Sequence, residues 1–487
     1  MRRQRARFGW VCVFTIIAAA CAGPAPTPAG QWQVPAAETM PARATEPSGL
    51  SVLVAVQETQ TSAYRFEVVD PATGDSSEAS QVIDLEVEGA IGSHAFSPDG
   101  SLFAFVAGGT SFCEPYAGGN ACWGGSDHLF VLDLEDGSTS SIGLPTPGRV
   151  SSMVFNPAGN ELALAFHDRR GSHILAVDTH TTAIRAETDL SFDPSMCGFT
   201  CSSLTYTRDG QGLLVFGADP GEKPGISPPG PAQVALLEAE SLETLWSSQL
   251  DGLVLGSWCI EGCDASHEFY VGAHWYPAVV WQASADRLLA FHAEADRLST
   301  IDVARRLVQS VDLVETQTWL DRLMAWGALS AEAKGASQGT ERRAVLAPDG
   351  SRVFTLGTTY HATPNSDGTW DMWTEPLGLD IVDPASGIRM AHVDTQASDL
   401  ALTADGRWLL LIHWLASGTI SEVVDAATLE TRSSFPGWSL QTGRSLEGRS
   451  VIMAYVDMET STSFALVDGR SLELQPKWAE DVILFLR

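Results

Sequence analysis

Short apolar runs, each bounded by a turn and each ending in an acidic residue, recur along most of this chain. The clearest is Val68-Val69-Asp70-Pro71-Ala72-Thr73-Gly74, and seven others centre on Leu132-Asp133, Val177-Asp178, Leu237-Glu238, Ile301-Asp302, Val382-Asp383, Val424-Asp425 and Val467-Asp468. A second pattern precedes seven of the eight, best seen in Phe96-Ser97-Pro98-Asp99-Gly100 and Leu346-Ala347-Pro348-Asp349-Gly350. Apolar runs this short, punctuated by Pro, Gly and Asp, predict β-strands. Self-similarity at a period of roughly 40–75 residues predicts one supersecondary unit used many times.

Each unit reads as four strands. Ala95-Phe96 enters the Ser97–Gly100 turn, Leu102 to Ala107 runs apolar, Leu129 to Leu132 runs into Asp133, and the polar stretch Ser138 to Leu144 follows. Pro fixes φ at these turns, Gly supplies positive φ, and Asp bonds its own backbone. Four short strands per unit, closed by radial repetition, predict an all-β propeller. The turns resemble the β-propeller repeats of WD40-like, TolB-type and YVTN-type proteins over about residues 50 to 487, a likeness that implies fold and leaves function open. Asn156-Pro157-Ala158-Gly159, Ser284-Ala285-Asp286 and Leu446-Glu447-Gly448 are degraded copies of the first turn. Eight middle-strand pairs against seven inner strands favour eight blades over seven, with the apolar run Val482 to Leu486 supplying the missing inner strand and closing the ring.

In such a blade the turns after strands one and three share one face of the disc. The tight turns fall there. The long insertions, Gly108 to Asp127, Leu190 to Ser202, Gly217 to Ala232, Asp251 to Pro277, Glu315 to Glu341 and Thr358 to Leu377, fall on the other face. Elaborated loops on a rigid scaffold are where binding residues concentrate. The binding-face candidates are therefore Tyr116, Trp123, His167, Asp168, Trp258, His274, Trp275, Tyr276, His292, Tyr360, His361, Trp370, Trp373 and His413. Trp319, Leu320, Leu323 and Met324 have helical spacing and predict a short amphipathic helix. Cys113 with Cys122, Cys197 with Cys201 and Cys259 with Cys263 are local pairs, read as disulfides in an exported chain, although six cysteines allow 15 pairings and a Cys₄ zinc cage is the competing arrangement.

Other chemistry is weaker. His167, His292 and His413 recur at the exit of second strands, with His94 and His274 near inner-strand entries, so a histidine cluster near the axis is one reading and local satisfaction of strand ends the other. Asp367, Asp371 and Glu375 offer oxygen ligands for calcium without EF-hand spacing. Gly335-Ala336-Ser337-Gln338-Gly339 has the spacing of a nucleophile elbow but not its strand–turn–helix setting. No cofactor is called for.

The N-terminus changes the address. Arg2, Arg3, Arg5 and Arg7 precede the apolar run Phe8 to Ile17, then Ala18-Ala19-Ala20-Cys21. This resembles a bacterial lipoprotein signal (residues 1–20), which implies lipidation of Cys21 and an extracytoplasmic, membrane-anchored protein. Residues 21–49 are rich in Pro, Ala and Thr and read as a tether, leaving 50–487 for the propeller. Of 29 basic residues, removing the four signal arginines leaves 25 against 60 acidic ones, a net charge of −35. Such a surface repels phosphate backbones, which excludes nucleic acid. The functional expectation is a monomeric anchored scaffold binding an envelope or secreted protein or peptide through its loop-rich face. The alternatives are an enzyme of dehydrogenase or lactonase type, or a small-ligand or glycan receptor, using an axial pocket on that face.

Overall fold

A computed structural model describes residues 51–57, 63–70, 83–86, 90–108, 110–116, 119–197, 203–221, 227–261, 271–313, 337–364, 370–415, 418–458, 461–474, 478–480 and 482–485. The signal segment, the tether, Cys21, Cys201, Cys263, Asp367 and the expected helix at 319–324 lie outside them. The described residues form strands and two 3₁₀ turns, Pro194–Cys197 and Ala283–Ala285. No helix among them is long and apolar enough to cross a membrane.

Strands β1 (Val52–Gln57), β2 (Ala63–Val69) and β3 (Ile83–Glu86) pair in that order. Next come β4 (Ala90–Phe96), β5 (Leu102–Gly108), β6 (Thr110–Tyr116), β7 (Gly119–Asp133), β8 (Thr139–Phe155), β9 (Glu161–Asp168), β10 (Gly171–Asp178) and β11 (Ala183–Asp189). These share one sheet because β8 is long enough to be the outer strand beside β7 and the inner strand beside β9, while β6 pairs only with β7. A four-stranded sheet follows, β12 (Leu204–Tyr206), β13 (Gly212–Ala218), β14 (Pro231–Glu238) and β15 (Thr244–Val254). The hairpin β16 (Gly256–Glu261) and β17 (Val271–Tyr276) precedes the sheet β18 (Ala278–Gln282), β19 (Arg287–Phe291), β20 (Arg297–Asp302) and β21 (Leu307–Asp312). Then come β22 (Ser337–Leu346), β23 (Val353–Pro364), β24 (Trp370–Val382) and β25 (Arg389–Val393), followed by β26 (Asp399–Leu402), β27 (Trp408–Leu415), β28 (Gly418–Asp425) and β29 (Thr431–Pro436). The series ends with β30 (Ser439–Arg444), β31 (Ser450–Met458), β32 (Ser461–Leu466) and β33 (Trp478–Glu480), and β34 (Val482–Phe485) returns to pair with β1 through Leu53↔Phe485 to Val56↔Val482. The chain is an all-β propeller closed by its C-terminal strand.

The core lies between sheets, and period-two alternation puts it there. Leu162, Leu164 and Phe166 of β9 pack toward β5, β7 and the first half of β8, while Ala163 and Ala165 pack toward the sheet β12–β15. Leu409 and Leu411 face β22–β25, and Leu410 faces β30–β33. Both faces of these strands are buried, which is why they read as unbroken apolar runs. At the closing seam, the Ser51 carbonyl accepts from the Leu446 N–H at 2.8 Å and the Glu447 carboxylate accepts from the Ser51 N–H at 3.2 Å.

The turns follow one hydrogen-bond scheme. Asp99 Oδ1 accepts from Ser97 Oγ (2.6 Å), Ser101 N (3.0 Å) and Ser101 Oγ (2.8 Å), and Gly100 sits at φ 82°. Thr207 with Asp209 and Thr403 with Asp405 repeat it. The degraded copy at Asn156 keeps it too: the Gly159 N–H donates to the Asn156 carbonyl at 2.9 Å, and Asn156 Oδ1 accepts from the backbone of Asn160 and Glu161. In Ser284-Ala285-Asp286 the left-handed residue is Asp286 itself, at φ 46°. The hydroxyl of Ser97, then the backbone and hydroxyl of Ser101, lower the Asp99 carboxyl to about 2. A depressed pKa contributes stability that is present above the unfolded value and lost as pH falls through the folded one. Asp99→Ala is therefore expected to destabilise by about 0.5–1 kcal/mol at pH 6, after discounting for exposure. In urea titrations the gap between variant and parent should close between pH 4 and pH 2.

Candidate functional site

Two insertions of the loop-rich face join into one structure. β17 runs through Pro277 into β18, an inner strand, and above the disc it pairs in parallel with the start of β22, Trp275↔Thr340 and Tyr276↔Glu341. β23 and β24 continue past a bulge at Gly357/Thr358 as a long hairpin, Thr358↔Pro376 to Pro364↔Trp370. β16, β17 and the extended parts of β22, β23 and β24 thus form a raised sheet. Gly339 permits the close approach, since a Cβ there would lie 2.6 Å from the His274 carbonyl oxygen.

This sheet gathers eight of the aromatic and histidine positions singled out above. Alternation and register sort them. His274, Tyr276 and Tyr360 share one side with Glu341, while Trp258, Trp275, His361 and Trp373 share the other. The His274 and Tyr360 rings meet edge to face at 4.9 Å, and His361 stacks on Trp373 at 4.9 Å. Trp370 pairs with Pro364 at the end of the described hairpin. Trp373 keeps 49% of its surface exposed, an outlay of apolar area that suits an anchor for a partner.

The His274 side of the sheet looks onto the seam between β22–β25 and β26–β29, and this seam is rich in ionisable groups. Arg343 bridges Glu341 and Asp399, each at 2.9 Å, and Glu341 accepts from the Tyr360 hydroxyl at 3.4 Å. Burial raises the Asp399 pKa despite Arg343, raises that of Tyr360 with help from Glu341, and lowers that of His274 against the pull of Glu341. Further out the seam opens into a cavity of about 620 Å³ lined by Pro376, Leu377, His392, Asp394, His413 and Glu422, among others. His413 Nε2 lies 3.3 Å from Glu422 Oε2. His392 sits between Asp380 (2.7 Å) and Asp394 (3.3 Å), and the bond to Asp380 raises its pKa. Perturbed groups around an open cavity on an elaborated face mark this cleft as the site. The groups presented are acids and histidines, a surface that attracts cations.

The other positions scatter. His292 is buried just after β19, near Glu294 (3.2 Å) and Ser299 (2.8 Å) of its own blade and Gly252 O (3.1 Å) of β15 in the blade before, and His167 lies 2.8 Å from Ser172 Oγ. Burial lowers His94, whose ring packs on Phe103. The histidine cluster near the axis does not form: His94, His167, His274, His292 and His413 each have separate local partners. Asp168 is buried and accepts from Thr146, Arg170 and His173. A second cavity, about 470 Å³, is lined by the ends of four neighbouring inner strands, including Trp281, Leu346, Leu402 and Arg444, at the tight-turn end. Asp371 and Glu375 fall four residues apart on the single extended strand β24, about 13 Å along its axis, so they do not converge on one calcium ion. Ser337 and Gly339 lie within β22, which rules out an elbow there. Cys113 and Cys122 occupy directly opposed positions of the β6–β7 hairpin, which also carries Tyr116 and Trp123, while Cys197 ends a 3₁₀ turn and Cys259 lies in β16. Sequence reasoning missed Glu341, Arg343, His392, Asp394, Asp399 and Glu422, all in or beside regular strands without a motif; the signal available was the i, i+2 spacing of Glu341 with Arg343 and of His392 with Asp394.

No family model matches the chain, and no curated protein matches it. Among solved structures it is similar to dihydro-heme d1 dehydrogenase NirN in complex with DHE (TM-score 0.49, 11% identity, covering 91% of this chain and 76% of that one). It is also similar to the β-propeller domain of Myceliophteria thermophila Swd1 (TM-score 0.39, 15% identity, 68% and 86%) and to Kuenenia stuttgartiensis hydrazine synthase (TM-score 0.41, 12% identity, 82% and 100%). The propeller assignment rests on the strand pairing and ring closure described above.

Proposed function

We propose that this chain is an extracytoplasmic, lipid-anchored propeller of eight blades that binds a protein or peptide partner by a basic segment, in the cleft between the raised sheet and β26–β29. The observation that carries this reading is the cavity itself, with Asp394 and Glu422 on its wall and exposed Leu415 at its edge. Carboxylates there attract lysine or arginine side chains, and the leucine supplies buried apolar area on docking. Cys113 and Cys122 would staple the β6–β7 hairpin, elsewhere on the loop-rich face. The described chain begins at Ser51, bonded to the Leu446-Glu447 turn of the tight-turn face.

Site-specific photo-crosslinking in native membranes tests this. A benzophenone side chain at position 415 is expected to capture a discrete partner, and one at Ser351 on the tight-turn face is expected to capture none. Leu415→Ala should weaken a captured partner's affinity roughly 10-fold, the effect of losing about 1.4 kcal/mol of apolar contact. Equal capture at both positions would refute the assignment of the working face.

A further inference from the structure

We propose that His173, Glu187 and Asp189 form a binding site for a zinc-class divalent cation at the rim of the loop-rich face. His173 lies in β10, near its start, and Glu187 and Asp189 end the neighbouring strand β11. Register places His173 opposite Asp189, and the i, i+2 spacing turns Glu187 to the same side of the sheet. One ligand atom from each residue falls within 4.8 Å of the others. His173 Nδ1 is 2.8 Å from Asp189 Oδ1 and 4.0 Å from Glu187 Oε1. Those separations straddle the spacing of about 3.4 Å between neighbouring ligands on a tetrahedral zinc ion, and the side chain of Asp189, largely in water, is free to adjust.

The other ring nitrogen makes the case. His173 is buried, and its Nε2 lies 3.0 Å from Asp168 Oδ1, itself buried. A carboxylate behind a histidine fixes the tautomer with the proton on Nε2 and turns the Nδ1 lone pair toward the ligand site, the arrangement found behind metal-bound histidines. Thr146 and Arg170 hold that carboxylate in place. Burial would raise Asp168, but these bonds outweigh it and keep the carboxyl below its usual range. Asp168 therefore stays a permanent acceptor. The site has one nitrogen and two oxygens from the chain and an open side toward solvent, and imidazole selects a borderline cation over calcium or magnesium.

Arg170 is the competing charge. Its Nη2 donates to Glu187 Oε1 at 3.0 Å while its Nε donates to Asp168 at 2.9 Å. In the metal-free protein this guanidinium neutralises Glu187, and a cation entering the site takes over that role. Asp168, Arg170, Glu187 and Asp189 are the charged groups around the ring, and ligation requires a bare Nδ1.

Calorimetric titration of the chelator-treated full chain with Zn²⁺, and separately with Ca²⁺, decides the matter. One zinc ion is expected to be lost from the stoichiometry, or bound at least 10-fold more weakly, in Asp189→Asn, an exposed change that leaves the fold intact. His173→Gln should lose at least 100-fold, and Asp168→Asn 10- to 100-fold, the usual toll for a carboxylate behind a ligand histidine. Arg170→Gln should bind zinc as tightly as the parent or more so. Zinc binding unchanged by Asp189→Asn and His173→Gln would overturn the site, as would no zinc binding at millimolar concentration, or calcium bound as tightly as zinc.

Discussion

A chain ending at residue 481 is expected to lose about 3–5 kcal/mol of stability and to aggregate on heating. The missing residues Val482–Phe485 pair with Leu53 to Val56 along the inner edge of the first sheet. Each backbone bond in that ladder is worth about 0.5–1.5 kcal/mol net, and its loss exposes an unpaired strand edge beside the buried Leu53 and Ala55. Urea unfolding followed by tryptophan fluorescence would show a midpoint shifted well below that of the full chain. A synthetic peptide of residues 478–487 added in trans should recover part of the loss. Full stability in the shortened chain would mean that the ring does not need this strand.

The second large effect sits on the same side of the ring. Phe103 of β5 is fully buried, with Phe66 at 6.1 Å, Phe96 at 4.8 Å and Phe105 at 5.7 Å between ring centroids. It fills the layer between the first sheet and the next, with Leu53, Tyr64 and Leu132. Phe103→Ala is expected to cost about 3–5 kcal/mol, transfer and cavity terms together, and Phe103→Leu about 1–1.5 kcal/mol. The ordering of the two urea midpoints is the check. A cost under 1 kcal/mol for the alanine variant would show that the layer collapses around the gap.

The fold was legible because its punctuation is local. Ser97, Asp99 and Gly100 close their turn with atoms no more than five residues apart, so the motif survives in any context, even as Asn156 to Gly159. Ring closure was legible from the surplus apolar run near the C-terminus. The raised sheet was legible only in its parts. Long insertions at Asp251–Pro277 and Thr358–Leu377 announced elaboration, but the pairing of Trp275 with Thr340 joins segments far apart in sequence, and only the ring brings two inner strands side by side. The cleft was least legible. Arg343, Asp399, His392 and Glu422 occupy ordinary strand or strand-end positions, and what makes them notable is burial and proximity across a seam.

Neighbouring blades of this propeller meet mainly through interdigitated side chains, a contact that slides. At Trp275–Thr340 and Tyr276–Glu341 two of them are stitched by main-chain pairing. One wall of the cleft therefore moves as a doubled slab, carrying β18–β21 and β22–β25 together, whereas the wall formed by β27 and β28 belongs to a single blade. Any breathing of the cavity falls on that thinner wall, where His413 and Glu422 ride, so a bound cation that draws them inward would be felt first at Trp414 and Leu415, on the exposed end of β27.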